Sequence, residues 1–126
     1  PKPSACTVRT MSSDCIFCKI ASRAIPSPLV YEDSEVVAFQ DINPQAAHHV
    51  LIIPRKHYAD VGEAAAAGQN ALLGQLVAAA AQIAKERGLS ANGYRLVCNT
   101  GKDGGQTVRH LHIHLLGGRP LGWPPG

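Results

Sequence analysis

Three histidines alternate with apolar residues in the segment His110-Leu111-His112-Ile113-His114-Leu115-Leu116. Side chains of an extended strand point to opposite faces in turn, so the histidines share one face and Leu111, Ile113 and Leu115 the other, which must be buried. The strand rise sets neighbouring imidazoles roughly 6.5 to 7 Å apart. Adjacent cationic imidazoles repel, so some stay neutral near neutral pH, where an imidazole is both nucleophile and proton carrier. Such a strand also suits metal binding, but a chance origin for three alternating histidines is the weaker reading.

Directly upstream lies Asn99-Thr100-Gly101-Lys102-Asp103-Gly104-Gly105-Gln106-Thr107. Glycines permit positive φ and close backbone approach, so several N–H groups can converge on an anion, with Asn99, Gln106 and Thr107 adding side-chain donors. A glycine-rich hairpin turn would explain this stretch alone; its adjacency to the histidines favours a phosphate site. A third candidate is Cys15-Ile16-Phe17-Cys18, whose C-x-x-C spacing is half of a common zinc site and equally a pair of reduced thiols on a short helix. No export signal accompanies the four cysteines, so a disulfide framework is not expected. Cys98, in the apolar run that starts at Tyr94, reads as a packed small hydrophobe.

The elements that must hold these residues follow from pattern. Ser13 or Asp14 caps a short helix with Ile16, Phe17 and Ile20 on one face, and Pro26 and Pro28 stop it. Leu29–Glu32 and Val36–Gln40, separated by Asp33-Ser34-Glu35, form a hairpin, and the β-branched run Val50–Ile53 makes a third strand. A long helix runs from about Glu63 to Arg87, with Leu72, Leu73, Leu76, Val77, Ala80, Ile83 and Ala84 recurring at helical spacing and Gly88 as its stop. Its small residues would let it pair with a second subunit. Tyr94–Asn99 is a fourth strand, Thr100–Gln106 a glycine-rich loop, Thr107–Leu116 a fifth strand, and Gly117–Gly126 an irregular tail whose Trp123 should pack against something. One helix crossing mostly antiparallel strands indicates an α+β fold, with one long and one short helix and a five-stranded antiparallel sheet.

A chain of 126 residues suits one domain, here residues 13–126, preceded by an extension over 1–12 that reads as disordered and as either an expression remnant or the end of a targeting segment. With 45% hydrophobic and 17% charged residues the chain is of ordinary soluble type. The net charge of +3 is scattered, which argues against nucleic-acid binding, and no run reaches the roughly 20 apolar residues of a membrane span. A cytoplasmic setting is expected, or an organellar one if residues 1–10 are a transit remnant.

The segment His110 to Leu116 resembles the histidine-triad (HIT) pattern, and the resemblance extends to Phe39-Gln40-Asp41-Ile42-Asn43-Pro44-Gln45, to His49 through Pro54-Arg55-Lys56-His57, to Asn99 through Val108, and to the tail ending Trp123-Pro124-Pro125-Gly126. That tail is similar to the Hint branch. The likeness covers roughly everything from Asp14 onward. It implies a HIT-like fold whose sheet continues across a homodimer, a purine nucleotide such as AMP bound at each subunit, and a hydrolase of purine nucleoside phosphoramidates (P–N bonds) acting through a nucleotidyl-histidine. By the same likeness His112 is the nucleophile, His114 contacts the phosphate or leaving group, and Gly105 and Thr107 stabilise the phosphoryl oxygens. Asp41 grips the ribose, and Ile16, Phe17, Ile20, Phe39 and Ile42 sandwich the base, though these apolar residues serve equally as plain core. Asn99, Gln106 and Val108 complete the nucleotide contacts. Related HIT proteins hold a structural zinc at positions equivalent to Cys15, Cys18, His49 and His110; without the metal, His49 and His110 form a relay behind His112. His48 and His57 read as non-catalytic, His57 as a strand-end surface residue. No cofactor is required for the chemistry. Hydrolysis of adenylyl sulfate or of an acyl adenylate would use the same machinery, and a regulatory nucleotide-binding or scaffold protein is the alternative of another class.

Overall fold

The computed structural model describes residues 14–126; the extension expected over 1–12, and Ser13 as a helix cap, lie outside the described residues. Nine elements follow in order: α1 (Ile16–Ala21), β1 (Leu29–Glu32), β2 (Val36–Gln40), β3 (His48–Pro54), α2 (Val61–Ala66), α3 (Asn70–Glu86), β4 (Tyr94–Val97), α4 (Gly101–Gly104) and β5 (Ile113–Gly117). The strands form one sheet in the order β1-β2-β3-β5-β4, every neighbouring pair antiparallel. This is the α+β, five-stranded antiparallel architecture that the pattern implies.

Both faces of the sheet are covered. On one, Val36, Ala38, Val50, Ile52, Leu111, Ile113 and Leu115 pack against Leu72, Leu76, Ala79, Ala80, Ile83 and Ala84 of α3. On the other, Val37, Phe39, Leu51 and Ile53 pack against Phe17, Ile20 and Ala21 of α1. A strand that is apolar on both faces reads as a continuous hydrophobic run, which is why β2 and β3 show little alternation.

The single long helix expected from Glu63 to Arg87 is two helices. Gly68 takes φ +77°, a left-handed conformation that ends α2 and is open to glycine without strain. The alanines on either side hide that break from any reading of propensity. Asp60 caps α2, its Oδ1 accepting the Glu63 amide at 2.9 Å, while Glu63 Oε1 accepts the Ala59 amide at 2.6 Å. Val77, one of the apolar residues recurring at helical spacing, is 47% exposed.

Three further boundaries shift. Cys15, not Ser13 or Asp14, is the N-cap of α1, its sulfur accepting the Cys18 amide. Residues 101–104, expected as open loop, wind into the short α4. The fifth strand begins only at Ile113, so His110 and His112 stand on extended chain outside the ladder. The alternation survives there, because it depends on extended backbone rather than on pairing. Cys98 lies beyond the end of β4 and is exposed, and Trp123 is 83% exposed instead of packed. Among the described residues no helix is long and apolar enough to cross a membrane.

Candidate functional site: a histidine cluster beside a two-cysteine, two-histidine centre

The leucine face of the triad segment enters the core beneath α3, and so the histidine face turns toward α1. Phe17 of α1 stands edge-on to two of these rings, with centroids 5.9 Å from His110 and 5.2 Å from His112. His112 and His114 are closer than the strand rise alone predicts, at 5.0 Å between ring centroids with the ring planes at 65°.

Each imidazole has its protons arranged by neighbours. His112 is buried, and its Nδ1 lies 2.7 Å from the His110 carbonyl oxygen. A carbonyl only accepts, so Nδ1 carries the proton and Nε2 keeps its lone pair. His110 is fully buried, with Nε2 2.9 Å from the Pro54 carbonyl, so its proton sits on Nε2 and Nδ1 is the free donor atom. Burial pushes the His110 pKa down to about 4. Burial, reinforced by the neighbouring His112 and His49, likewise pushes half-buried His114 down to about 4. Burial also lowers His49, partly opposed by the Asp41 carboxylate.

His49 does not join the cysteines, contrary to the ligand set that the resemblance implies. It lies against His114, His49 Nε2 to His114 Nδ1 being 2.9 Å, and against Asp41, whose Oδ2 is 3.4 Å from the same Nε2. The place beside the cysteines is taken by His57, which is buried rather than on the surface. The register explains the exchange. β3 and β5 pair with Ile52 opposite Ile113, and carrying that register three residues further sets Arg55 opposite His110. His49 is six residues from Arg55, about 20 Å along a strand. The loop following β3 is therefore the segment that can reach His110.

Cys15 Sγ lies 3.3 Å from His110 Nδ1, and Cys18 Sγ lies 3.3 Å from His57 Nδ1 and 3.5 Å from His110 Nδ1. The four ligating atoms all fall within 4.8 Å of one another. A tetrahedral zinc with bonds of ordinary length to sulfur and nitrogen separates those atoms by about 3.6 Å. The Pro54 carbonyl on His110 Nε2 is also the outer partner that a metal-ligating imidazole takes. Cys15, Cys18, His57 and His110 thus fit a structural zinc. Cys15 and Cys98 are free thiols. Zinc takes both cysteines as thiolates, so metal binding requires Cys15 and Cys18 in the reduced form.

The remaining expected nucleotide residues divide by environment. Phe17, Ile20 and Phe39 are core, while Ile16 at 47% and Ile42 at 95% exposure are open to a ligand. Ile16, Thr107 and Val108 line a cleft of about 300 Å³ together with Asp14, Cys15, His57 and Arg109. Gln106, expected as a phosphate donor, has its amide occupied: Nε2 donates to the carbonyls of Ala59 and Val108, and Oε1 accepts the Gly101 amide. Its role is to brace the 99–107 loop. Gly105 adopts φ +81° and closes α4, and Thr107 is exposed. Asn99 backs Gly104, whose position for a Cβ is 3.8 Å from the Asn99 backbone.

A HIT domain model matches residues 22–121. The chain is 50% identical over 112 residues to the purine nucleoside phosphoramidase of Escherichia coli, covering 89% of this chain and 93% of that one. It is 50% identical over 119 residues to a 14 kDa zinc-binding protein of Zea mays, covering 94% of this chain and 92% of that one. The crystal structure of a HIT family hydrolase from Legionella pneumophila superposes with a TM-score of 0.86 at 49% identity, covering 89% of this chain and 99% of that one. Match, fold and triad geometry agree, and the chain belongs to the HIT domain family.

Proposed function

We propose that this HIT-family hydrolase cleaves the P–N bond of purine nucleoside phosphoramidates, with His112 Nε2 as nucleophile. The observation that carries the reading is the 2.7 Å contact from His112 Nδ1 to the His110 carbonyl, which leaves Nε2 as the unprotonated nitrogen. An imidazole held in this way is a competent nucleophile, and covalent catalysis divides one difficult displacement into two. In the first step His112 Nε2 forms a bond to the α-phosphorus while the P–N bond breaks, its electron pair leaving with the amine nitrogen, which is protonated on release. Water then attacks the same phosphorus, the Nε2–P bond breaks, and AMP is freed with His112 restored.

Around that centre the Gly105 amide and Thr107 hydroxyl stabilise charge on the phosphoryl oxygens, and Asp41, half-buried beside His49, binds the ribose. Ile16 and Ile42 offer exposed apolar surface for the base, backed by Phe17, Ile20 and Phe39. The 50% identity to a phosphoramidase supports the P–N substrate class. Zinc at Cys15, Cys18, His57 and His110 would be structural, since four protein ligands leave no open position for substrate. It would tie α1, which carries Ile16 and Phe17, to the triad segment. A homodimer belongs to the same reading: among the described residues β4 pairs only with β5 and leaves its other edge open, and Val77 lies exposed on α3. So does action in the cytoplasm.

Incubation with adenosine 5′-phosphoramidate, followed by chromatography of AMP, tests the assignment. Release by the unaltered protein that His112→Asn lacks is the expected result. No release by the unaltered protein refutes the substrate class and favours adenylyl sulfate or a binding role.

A further inference from the structure

His49 belongs to neither the nucleophile nor the cysteine centre, yet it is buried and has a partner on each ring nitrogen. Its Nδ1 accepts the Gln45 backbone amide at 3.0 Å. Its Nε2 faces two groups, His114 Nδ1 at 2.9 Å and Asp41 Oδ2 at 3.4 Å. A neutral imidazole has one proton, and the Gln45 amide forces it off Nδ1, so Nε2 carries it. The reverse arrangement, with His114 Nδ1 donating, would leave His49 accepting at both nitrogens, an imidazolate. A cationic His49 would set an N–H against the Gln45 N–H. Both are excluded, and His114 must accept at Nδ1 and carry its own proton on Nε2.

The residue that carries this N–H is itself held, through the carbonyl of its following peptide unit. Arg119, from the segment after β5, donates through Nε at 3.3 Å and Nη2 at 3.0 Å to the Gln45 carbonyl. The Gln45 side chain donates to the Asn43 carbonyl at 3.0 Å, and the Asn43 amide donates to Asp41 Oδ1 at 2.8 Å. The segment after β5 lies tight on this loop: a Cβ on Gly118 would stand 2.8 Å from Ala47 Cβ.

We propose that the Gln45 N–H, in a residue whose carbonyl Arg119 holds, is a positioning element that fixes the tautomers of His49 and His114, so that His114 meets the phosphoryl group as a neutral Nε2–H hydrogen-bond donor and not as a proton-delivering acid. The tautomer assignment stands on geometry alone; the part given to His114 rests on the P–N reading above. A neutral imidazole that gave up Nε2–H would become an imidazolate, and His49 has no second proton with which to replace it. Donation without transfer is therefore what this arrangement supports, and the leaving amine takes its proton from solvent. The same tautomer disfavours a metal at Asp41, His49 and His114, because a metal on His49 Nε2 would drive the proton onto Nδ1 against the Gln45 amide.

The test combines long-range ¹H–¹⁵N correlation of the imidazoles in the full chain, without substrate, with kinetics. Protonated Nε2 and unprotonated Nδ1 on both His49 and His114 are expected; a protonated His114 Nδ1 overturns the assignment. In Arg119→Ala the two rings should show averaging of tautomers that Arg119→Lys partly reverses, and unchanged spectra overturn the role of Arg119. With adenosine 5′-phosphoramidate, His114→Ala should lose about 10²-fold in kcat, as for other lost phosphoryl or oxyanion donors. His114→Gln, which offers an N–H but no transferable proton, should keep most of the rate. Equal losses in the two variants overturn the neutral-donor role. Failure of the unaltered protein to turn over the substrate refutes the P–N reading and leaves the tautomers to be judged by the spectra.

Discussion

Lowering the pH should destabilise the fold in a way that one substitution, His114→Gln, partly removes. The pKa of His114 falls from the ordinary 6.5 to about 4, chiefly through burial and then through the charges of His112 and His49. A histidine whose folded pKa is depressed takes its proton first in the unfolded chain. Its neutral form therefore contributes full stability above 6.5, and that contribution is lost as the pH falls from 6.5 toward 4. Taken at face value, those two pKa values cost the folded state about 2 kcal/mol on going from about pH 7.5 to about pH 5. His114 is half-buried, and solvent screening reduces the figure, so about 1 to 2 kcal/mol is expected. Urea unfolding at the two pH values, at fixed protein concentration, reads the effect. The drop in stability should be smaller by that amount in His114→Gln, a difference of about 0.5 to 1 M in the pH-dependent shift of the midpoint for ordinary m-values. His110 stays in place in both proteins, so its titration largely cancels. Parallel pH profiles for the two proteins would refute the claim that burial holds His114 neutral.

Two further outcomes follow from the same geometry. After reduction, the protein should bind about one zinc per chain by metal analysis; His57→Ala should abolish this and His49→Ala should preserve it, a contrast that exchanges sign if the cysteines are completed by His49. Asp60→Ala removes the cap on the Glu63 amide and should cost about 1 kcal/mol, a fall in Tm of about 4 °C by calorimetry.

What could be read from the chain in advance was whatever depends on local period. The triad alternation is legible because extended backbone alone sends His110, His112 and His114 to one side and Leu111, Ile113 and Leu115 to the other, ladder or not. The hairpin β1–β2 is legible because a polar turn, with Asp33 accepting the amides of Glu35 and Val36, separates two apolar runs. What escaped depends on register and on backbone conformation. His57 and Cys18 are 39 positions apart and meet only because the loop after β3 turns back beside His110. The signal was nonetheless available: if β3 and β5 are antiparallel neighbours, a histidine before β3 and the first histidine of the triad fall at opposite ends of the pair. The break at Gly68 escaped because alanines favour helix on both sides and only φ records the turn. For Gln106 a glutamine in a glycine loop shows its chemistry but not its partners, which are the Ala59 and Val108 carbonyls and the Gly101 amide.

The register also gives His110 two separate duties. Its side chain points Nδ1 at the cysteines and Nε2 at the Pro54 carbonyl, while its own backbone carbonyl receives the His112 Nδ1 proton. The first duty belongs to the centre that joins α1 to the triad segment, and the second sets which nitrogen of His112 keeps its lone pair for the proposed attack. A displacement of that side chain moves the backbone that carries the carbonyl, so a change at the cysteine centre bears on His112 through the His110 main chain. His49 and His114 form the other half of the arrangement, fixed from the loop at Gln45 and not from the cysteines. The two histidines proposed to face the phosphoryl group are thus oriented by independent backbone groups, the His110 carbonyl for His112 and, through His49, the Gln45 N–H for His114. A defect at one end should therefore leave the tautomer at the other intact.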